Sequence, residues 1–169
     1  MSGGEPPKIL GLTIHSPWAE LVARGLKTVE NRSWAPPPWL LGRYLAVHAS
    51  TRWDQEGAEF VERNASRFRA PDLRPEACQK GVVAVARVVG WVQRVELGQP
   101  GPKVISMLPG CSFTEQDWRW FVGAEFGWLL RDVQRITPVA CRGQQKLWRL
   151  PSPVYDSVRR RYDAARRAG

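Results

Sequence analysis

The sequence predicts an α+β fold, a small β-barrel with inserted and flanking helices and an Arg-rich helix at its C-terminal end. Three observations carry this expectation. Runs with the two-residue alternation of strands recur along the chain, the strongest being the Val-rich stretch 81–95. Segments with helical periodicity stand between these runs, so the helices are inserted among the strands. At the end, Tyr155, Val158, Tyr162 and Ala165 recur at three- and four-residue steps among five arginines. Closing several short strands into a barrel would hide their unpaired edges.

Each element follows from local chemistry. Residues 1–7 carry Gly and Pro without periodicity and read as a loose tail. Over 8–15, Leu10, Leu12 and Ile14 alternate with Ile9, Gly11, Thr13 and His15, a first strand. Ser16 and Pro17 open a short helix, Ser as N-cap and Pro at the first helical position; Trp18, Leu21 and Val22 give it an apolar side and Gly25 closes it. Residues 27–32 read as a short strand in which Thr28 and Val29 are β-branched. Pro36, Pro37 and Pro38 stiffen the loop 33–42. In the strand 43–49, Leu45, Val47 and Ala49 share one face and Tyr44, Ala46 and His48 the other. Residues 54–68 read as one helix, with Phe60 and Val61 on its apolar side.

The stretch 81–95 is long enough to be one bent strand or two joined at a bulge, with the break at Gly90. Residues 97–112 are Pro- and Gly-rich and read as a long loop. Thr114 caps a short helix with Asp117 three residues on. Residues 125–136 and 146–150 supply the last strands, and Pro151 and Pro153 separate them from a helix at 154–168. The expected organisation is a tail at 1–7, one domain over 8–150 and the Arg-rich segment 151–169.

Composition narrows the partners. The chain has 169 residues, 43% of them apolar, enough for a real core. No apolar run reaches the length of a membrane span and the N-terminus lacks a signal peptide's pattern, so a soluble cytoplasmic protein with no membrane partner is expected. Cys78, Cys111 and Cys141 are far apart and form no Cys-x-x-Cys, which argues against a metal site and for reduced, partly buried thiols; no cofactor is expected. The 25 Lys and Arg outnumber the 16 Asp and Glu, a net charge of +9, and most of the cations are Arg. Guanidinium forks suit phosphates and base edges, which favours nucleic acid, RNA above all, as the partner. Nine tryptophans serve mainly as core, and one or two beside a polar pocket would make a stacking wall.

The sharpest constellation is Gly25-Leu26-Lys27-Thr28-Val29-Glu30-Asn31-Arg32. On a strand, Glu30 and Arg32 lie on one face, and Lys27 at the strand's mouth can turn toward them. An acid flanked by two bases can accept from an exocyclic amine and hold a phosphate or carbonyl oxygen, or it can be a structural ion-pair network. Gly-x-Lys-Thr-x-Glu-x-Arg after a short Pro-Trp helix resembles the signature of the ASCH domain, a PUA-like β-barrel family linked to RNA. The runs 126–133, Thr137-Pro138 and 143–150 resemble that family's closing strands. The resemblance, over roughly residues 9–150, implies a PUA-like fold and a pocket for a flipped or modified base. It makes Ser16, Trp18, Lys27, Glu30, Arg32, His48 and Trp128 the ligand-binding candidates, with Trp34 and Trp39 as further walls.

The family's amidohydrolase branch implies a Lys, a nucleophilic Thr three residues on and a distal Glu; other members act as ribonucleases. Lys27 matches the Lys, but Glu30 stands at the Thr position and Thr28 lies next to Lys27, with Glu115 and Glu125 as candidates for the distal Glu. If the protein is an enzyme, Lys27 and Glu30 are its catalytic pair. A histidine such as His15 or His48 near a strand end is more often a packing residue than a base, and Gln144, Gln145 and Lys146 read equally as a polar site or a turn. Arg159, Arg160, Arg166 and Arg167 on the last helix are the expected phosphate contacts.

Overall fold

A computed structural model describes residues 9–96, 98 and 101–169. The expected tail at 1–7 lies outside the described residues, as do positions 97, 99 and 100 of the expected loop. The strands are β1 (Leu10–Ser16), β2 (Val29–Arg32), β3 (Tyr44–Trp53), β4 (Gly81–Gln93), β5 (Lys103–Met107), β6 (Phe126–Val139) and β7 (Leu147–Arg149). The α-helices are α1 (Trp18–Ala23), α2 (Gln55–Arg63), α3 (Ala65–Phe68), α4 (Glu115–Trp120) and α5 (Ser152–Ala168).

The seven strands form one sheet in the order β2-β6-β4-β3-β1-β7, with β5 beside β4. Among the described residues only β1 and β3 run parallel; the other pairs are antiparallel. The ladder does not close into the expected barrel. β2 and β7 end the ladder without pairing, and β7 covers β1 only over Leu10–Leu12, which leaves the stretch of β1 from Thr13 on without a strand on that side. A side chain bridges that gap instead: Arg32 Nη2 on β2 donates to the Thr13 carbonyl on β1 at 2.9 Å.

β4 is one bent strand. Its first half gives one edge to β3 over Gly81–Arg87, and its second half gives an edge to β5 from Gly90 on. A Cβ at Gly90 would lie 2.6 Å from the Ser106 carbonyl oxygen, so glycine is what lets β5 approach. β5 corrects the loop expected at 97–112: Pro102 and Gly110 flank it, but Val104 and Ile105 are β-branched and β4 offered an open edge.

Two further boundaries moved. The helix expected over 54–68 is interrupted at Asn64, whose side chain bonds the Phe60 carbonyl, giving α2 and α3. Ser16 is not the N-cap of α1. It still belongs to β1, opposite Trp53, and Pro17 takes the cap position without a side-chain bond. Asp54 and Thr114 do cap α2 and α4, the latter with the expected capping box to Asp117.

Helices cover both faces of the sheet. On one, Ala19, Val22 and Ala23 of α1 pack with Leu12, Ile14, Leu45, Val47, Val83, Val88, Trp128 and Leu130. On the other, Val158 and Tyr162 of α5 pack with Ile9, Ala46, Val82, Val85, Ile136, Val139 and Trp148, while Tyr155 and Ala165 flank them. The stripe read from the sequence is thus the face α5 buries. A third cluster, with Phe68 stacked on Trp120 at 4.3 Å, joins α3 and α4 to Val29, Val89, Val92 and Leu129.

Candidate functional site

The site grows out of the turn that ends α1. Gly25 adopts φ of 72°, a left-handed turn that costs glycine nothing. The reversal lets the Leu26 and Lys27 amides both donate to the Leu21 carbonyl, at 3.0 and 3.1 Å. It also turns the Lys27 side chain inward. Its ammonium donates to the Val29 carbonyl and to Glu30 Oε2, the latter at 3.1 Å. The other oxygen, Glu30 Oε1, accepts from Arg32 Nε at 3.0 Å.

Both central members are buried, Lys27 at 3% and Glu30 at 6% exposure. Burial pushes the Lys27 ammonium below its ordinary value, Glu30 beside it pulls the other way, and Arg32 adds a smaller lowering. Each Glu30 oxygen has used one lone pair and keeps another for an incoming donor.

Lys27 and Glu30 form part of a cleft of about 190 Å³ with Trp18, Asn31 and Val122. That is below the ~300–1,000 Å³ of pockets for drug-sized ligands, and suits a single base rather than a whole nucleotide. The Lys27 ammonium lies 5.7 Å from the centre of the Trp18 ring. Trp18 is held by its indole N–H, which donates to Asp54 Oδ2 at 2.8 Å, while Asp54 Oδ1 caps α2. Asn31 fixes the opposite side: its amide donates to the Trp120 carbonyl and accepts from the Val122 amide, at 2.8 and 2.9 Å.

The other candidates lie elsewhere. Trp128 is fully buried, edge-on to Trp34 at 4.7 Å, and donates to the Trp34 carbonyl; it is core opposite Glu30 in the ladder and stands outside the lining of the Trp18 cleft. Trp39 is exposed beneath the Arg43 guanidinium. Ser16 is buried with its hydroxyl unpartnered, outside the cleft lining. His48 belongs to a separate cavity with Thr13 and residues 141–145. Glu115 pairs with Arg119 and Glu125 accepts from Gln93, both at exposed positions outside the cleft lining. The Thr28 hydroxyl is buried and unpartnered, and it does not meet the Lys27 ammonium. A larger depression of about 580 Å³ between α2 and residues 70–75 includes none of the charged triad.

The positioning roles of Asn31, Val122 and Asp54 were missed from the sequence. Asn31 acts across some ninety residues, which no local pattern reveals; Asp54 was legible only as a helix start.

On α5, Arg160, Arg166 and Arg167 are exposed and Arg159 is half-buried. Arg161 is instead committed to the Thr137 and Pro138 carbonyls. α5 lies on the sheet face opposite α1, so its arginines and the Trp18 cleft do not form one continuous wall.

Against this geometry, the family model for the ASCH domain matches residues 12–126, more than half of the chain. The chain belongs to the ASCH domain family. The matched range includes the whole Gly25–Arg32 motif and every residue lining the Trp18 cleft, and ends as β6 begins. This ASCH domain is 26% identical over 156 residues to human activating signal cointegrator 1, covering 88% of the chain and 23% of that relative. It is 24% identical over 155 residues to the mouse protein of the same name, with the same coverage. It therefore spans about a quarter of the length of these relatives. Among solved structures it is similar to ASCH from Zymomonas mobilis, with a TM-score of 0.50 and 21% identity over 91% of this chain and 95% of that one, a likeness of fold. No described helix is long and apolar enough to cross a membrane.

Proposed function

We propose that this ASCH domain binds single-stranded RNA and seats one unstacked or modified base in the Trp18 cleft. The observation that carries the reading is the buried Glu30 carboxylate, held from both sides by Lys27 and Arg32 at the edge of a base-sized, Trp-walled cleft. Glu30 would accept from an exocyclic amine of the base, Lys27 would face a carbonyl oxygen, and the Trp18 ring would stack. The net charge of +9 and the exposed arginines of α5 supply the sequence-independent part of the affinity.

The experiment is to measure affinity for short RNAs differing at one unpaired base, for the wild type and Glu30→Gln. An amide presents both donor and acceptor, so the variant is expected to change the order of base preference while the slope of affinity against salt stays the same. Unchanged preference with a changed slope would contradict the reading.

A second reading, a hydrolase on a modified nucleoside or a ribonuclease, is favoured by one observation. The lowered pKa of buried Lys27 is what a general base requires. Against the amidohydrolase form of it, the nucleophile's place is taken by Glu30 and Thr28 does not reach the amine.

A further inference from the structure

A second cavity, of about 380 Å³, opens where β1 and β3 meet the chain linking β6 to β7. Its lining includes two cations, Lys80 and Arg142, the hydroxyls of Thr13, Ser50 and Thr51, and the amides of Gln144 and Gln145, with no acidic residue. At its buried side His48 is 4% exposed. Its Nε2 lies 3.0 Å from the Cys141 carbonyl, and since a carbonyl only accepts, Nε2 carries the hydrogen. Nδ1 is buried and has no partner. The ring is held edge-on to Trp148 at 5.6 Å, and Gly143 packs close against it. A Cβ at Gly143 would come 2.7 Å from both His48 Nδ1 and Thr13 Oγ1.

We infer that this cavity is a phosphate-binding site. Two cations with hydroxyl and amide donors and no competing carboxylate are the chemistry that holds a phosphate oxyanion. With the Nε2 hydrogen given to the Cys141 carbonyl, Nδ1 is a buried acceptor that donates nothing to the anion, which is held by the two cations and the hydroxyl and amide donors. Position favours the phosphate of a nucleic-acid backbone over a free one. Trp148, against which His48 rests, packs in the same cluster as Val158 and Tyr162, so the cavity lies on the sheet face that carries α5 and its arginines. Thr13 also links it to the Trp18 cleft, because its carbonyl accepts from Arg32 while its side chain lines this cavity. The site does not depend on the base-binding reading, since it shares no lining residue with that cleft.

The test follows the backbone amides of Gly143 and Gln144 and the His48 ring by NMR. The full chain is titrated with inorganic phosphate, with a short single-stranded RNA lacking terminal phosphates, and with chloride at matched ionic strength. Saturable shifts with phosphate, absent with chloride, are expected. The double substitution Lys80→Gln/Arg142→Gln, at exposed positions that should leave folding intact, should weaken phosphate binding at least about tenfold, the scale of one lost charge-assisted hydrogen bond. Arg63→Gln, which removes an exposed cation outside both cavities, should leave the response unchanged. Shifts with both phosphate and RNA that the double substitution removes assign a backbone site; shifts with phosphate alone assign a small phosphorylated ligand. No saturable shift with either, an equal response to chloride, or a response unaltered by the double substitution overturns the inference.

Discussion

Removing the Glu30 carboxylate should expose how much the buried triad costs to break. Lys27 is 3% exposed in the wild type, and in Glu30→Ala its ammonium keeps only the Val29 carbonyl as partner. Breaking a buried ion pair from one side costs about 3–5 kcal/mol. Lys27 can shed its proton, which places the expected loss near the lower figure, ~3 kcal/mol. At about 2–4 °C per kcal/mol for a chain of this length, the melting temperature should fall by roughly 6–12 °C. The control is Glu59→Ala, which breaks an exposed 3.7 Å pair with Arg63 and should cost about 0.5 kcal/mol or less.

The loss should also depend on pH in a definite direction. Burial already lowers the Lys27 pKa from its ordinary 10.5 against the raising pull of Glu30, and without Glu30 it falls further. A lysine with a depressed folded pKa binds fewer protons folded than unfolded. Stability therefore rises with pH between the folded and unfolded values. The deficit of Glu30→Ala should be larger near pH 6 than near pH 9, and adding Lys27→Met should recover most of it. Thermal melts by circular dichroism decide the matter. A Glu30→Ala deficit equal to that of Glu59→Ala, or one that grows with pH, would refute the reasoning.

Two further outcomes are expected. Replacing Arg159, Arg160, Arg166 and Arg167 together by Gln should weaken RNA binding evenly across sequences and reduce the logarithmic salt slope by about 0.7 per lost phosphate contact on a single strand, with little change in melting; fluorescence anisotropy over a salt series reads both. Acetylated cytidine should not be hydrolysed at an appreciable rate, as followed by chromatography; turnover abolished by Lys27→Ala would favour the hydrolase reading instead.

What was legible in the sequence was what local chemistry dictates. The faces of β1 and β3, the bend of β4 at Gly90, the cap of α4 and the buried stripe of α5 all follow from period and cap residues. The grouping of Lys27, Glu30 and Arg32 was legible because all three lie within six residues. The failures were non-local. Closure of the sheet turned on whether its end strands β2 and β7 meet, which only their places in the ladder decide. Trp128 belongs to a family-like motif, yet its position in the ladder places it in the core. His48 was grouped with the Lys27 site, and the turn at residues 141–145 draws it into another cavity. β5 was hidden by its Pro and Gly flanks until β4 offered an edge.

The most direct test of the base-binding claim is to follow the Trp18 indole N–H and the Asn31 side-chain amide by NMR while single-stranded RNA is added. Trp18 walls the cleft and Asn31 fixes its far side, and both protons now bond within the protein, to Asp54 and to the Trp120 carbonyl. Both resonances should shift saturably with the RNA, and Glu30→Gln should change which base produces the largest shift. If RNA binds while these two resonances stay still and only residues of α5 respond, the cleft takes no base and the central claim is contradicted.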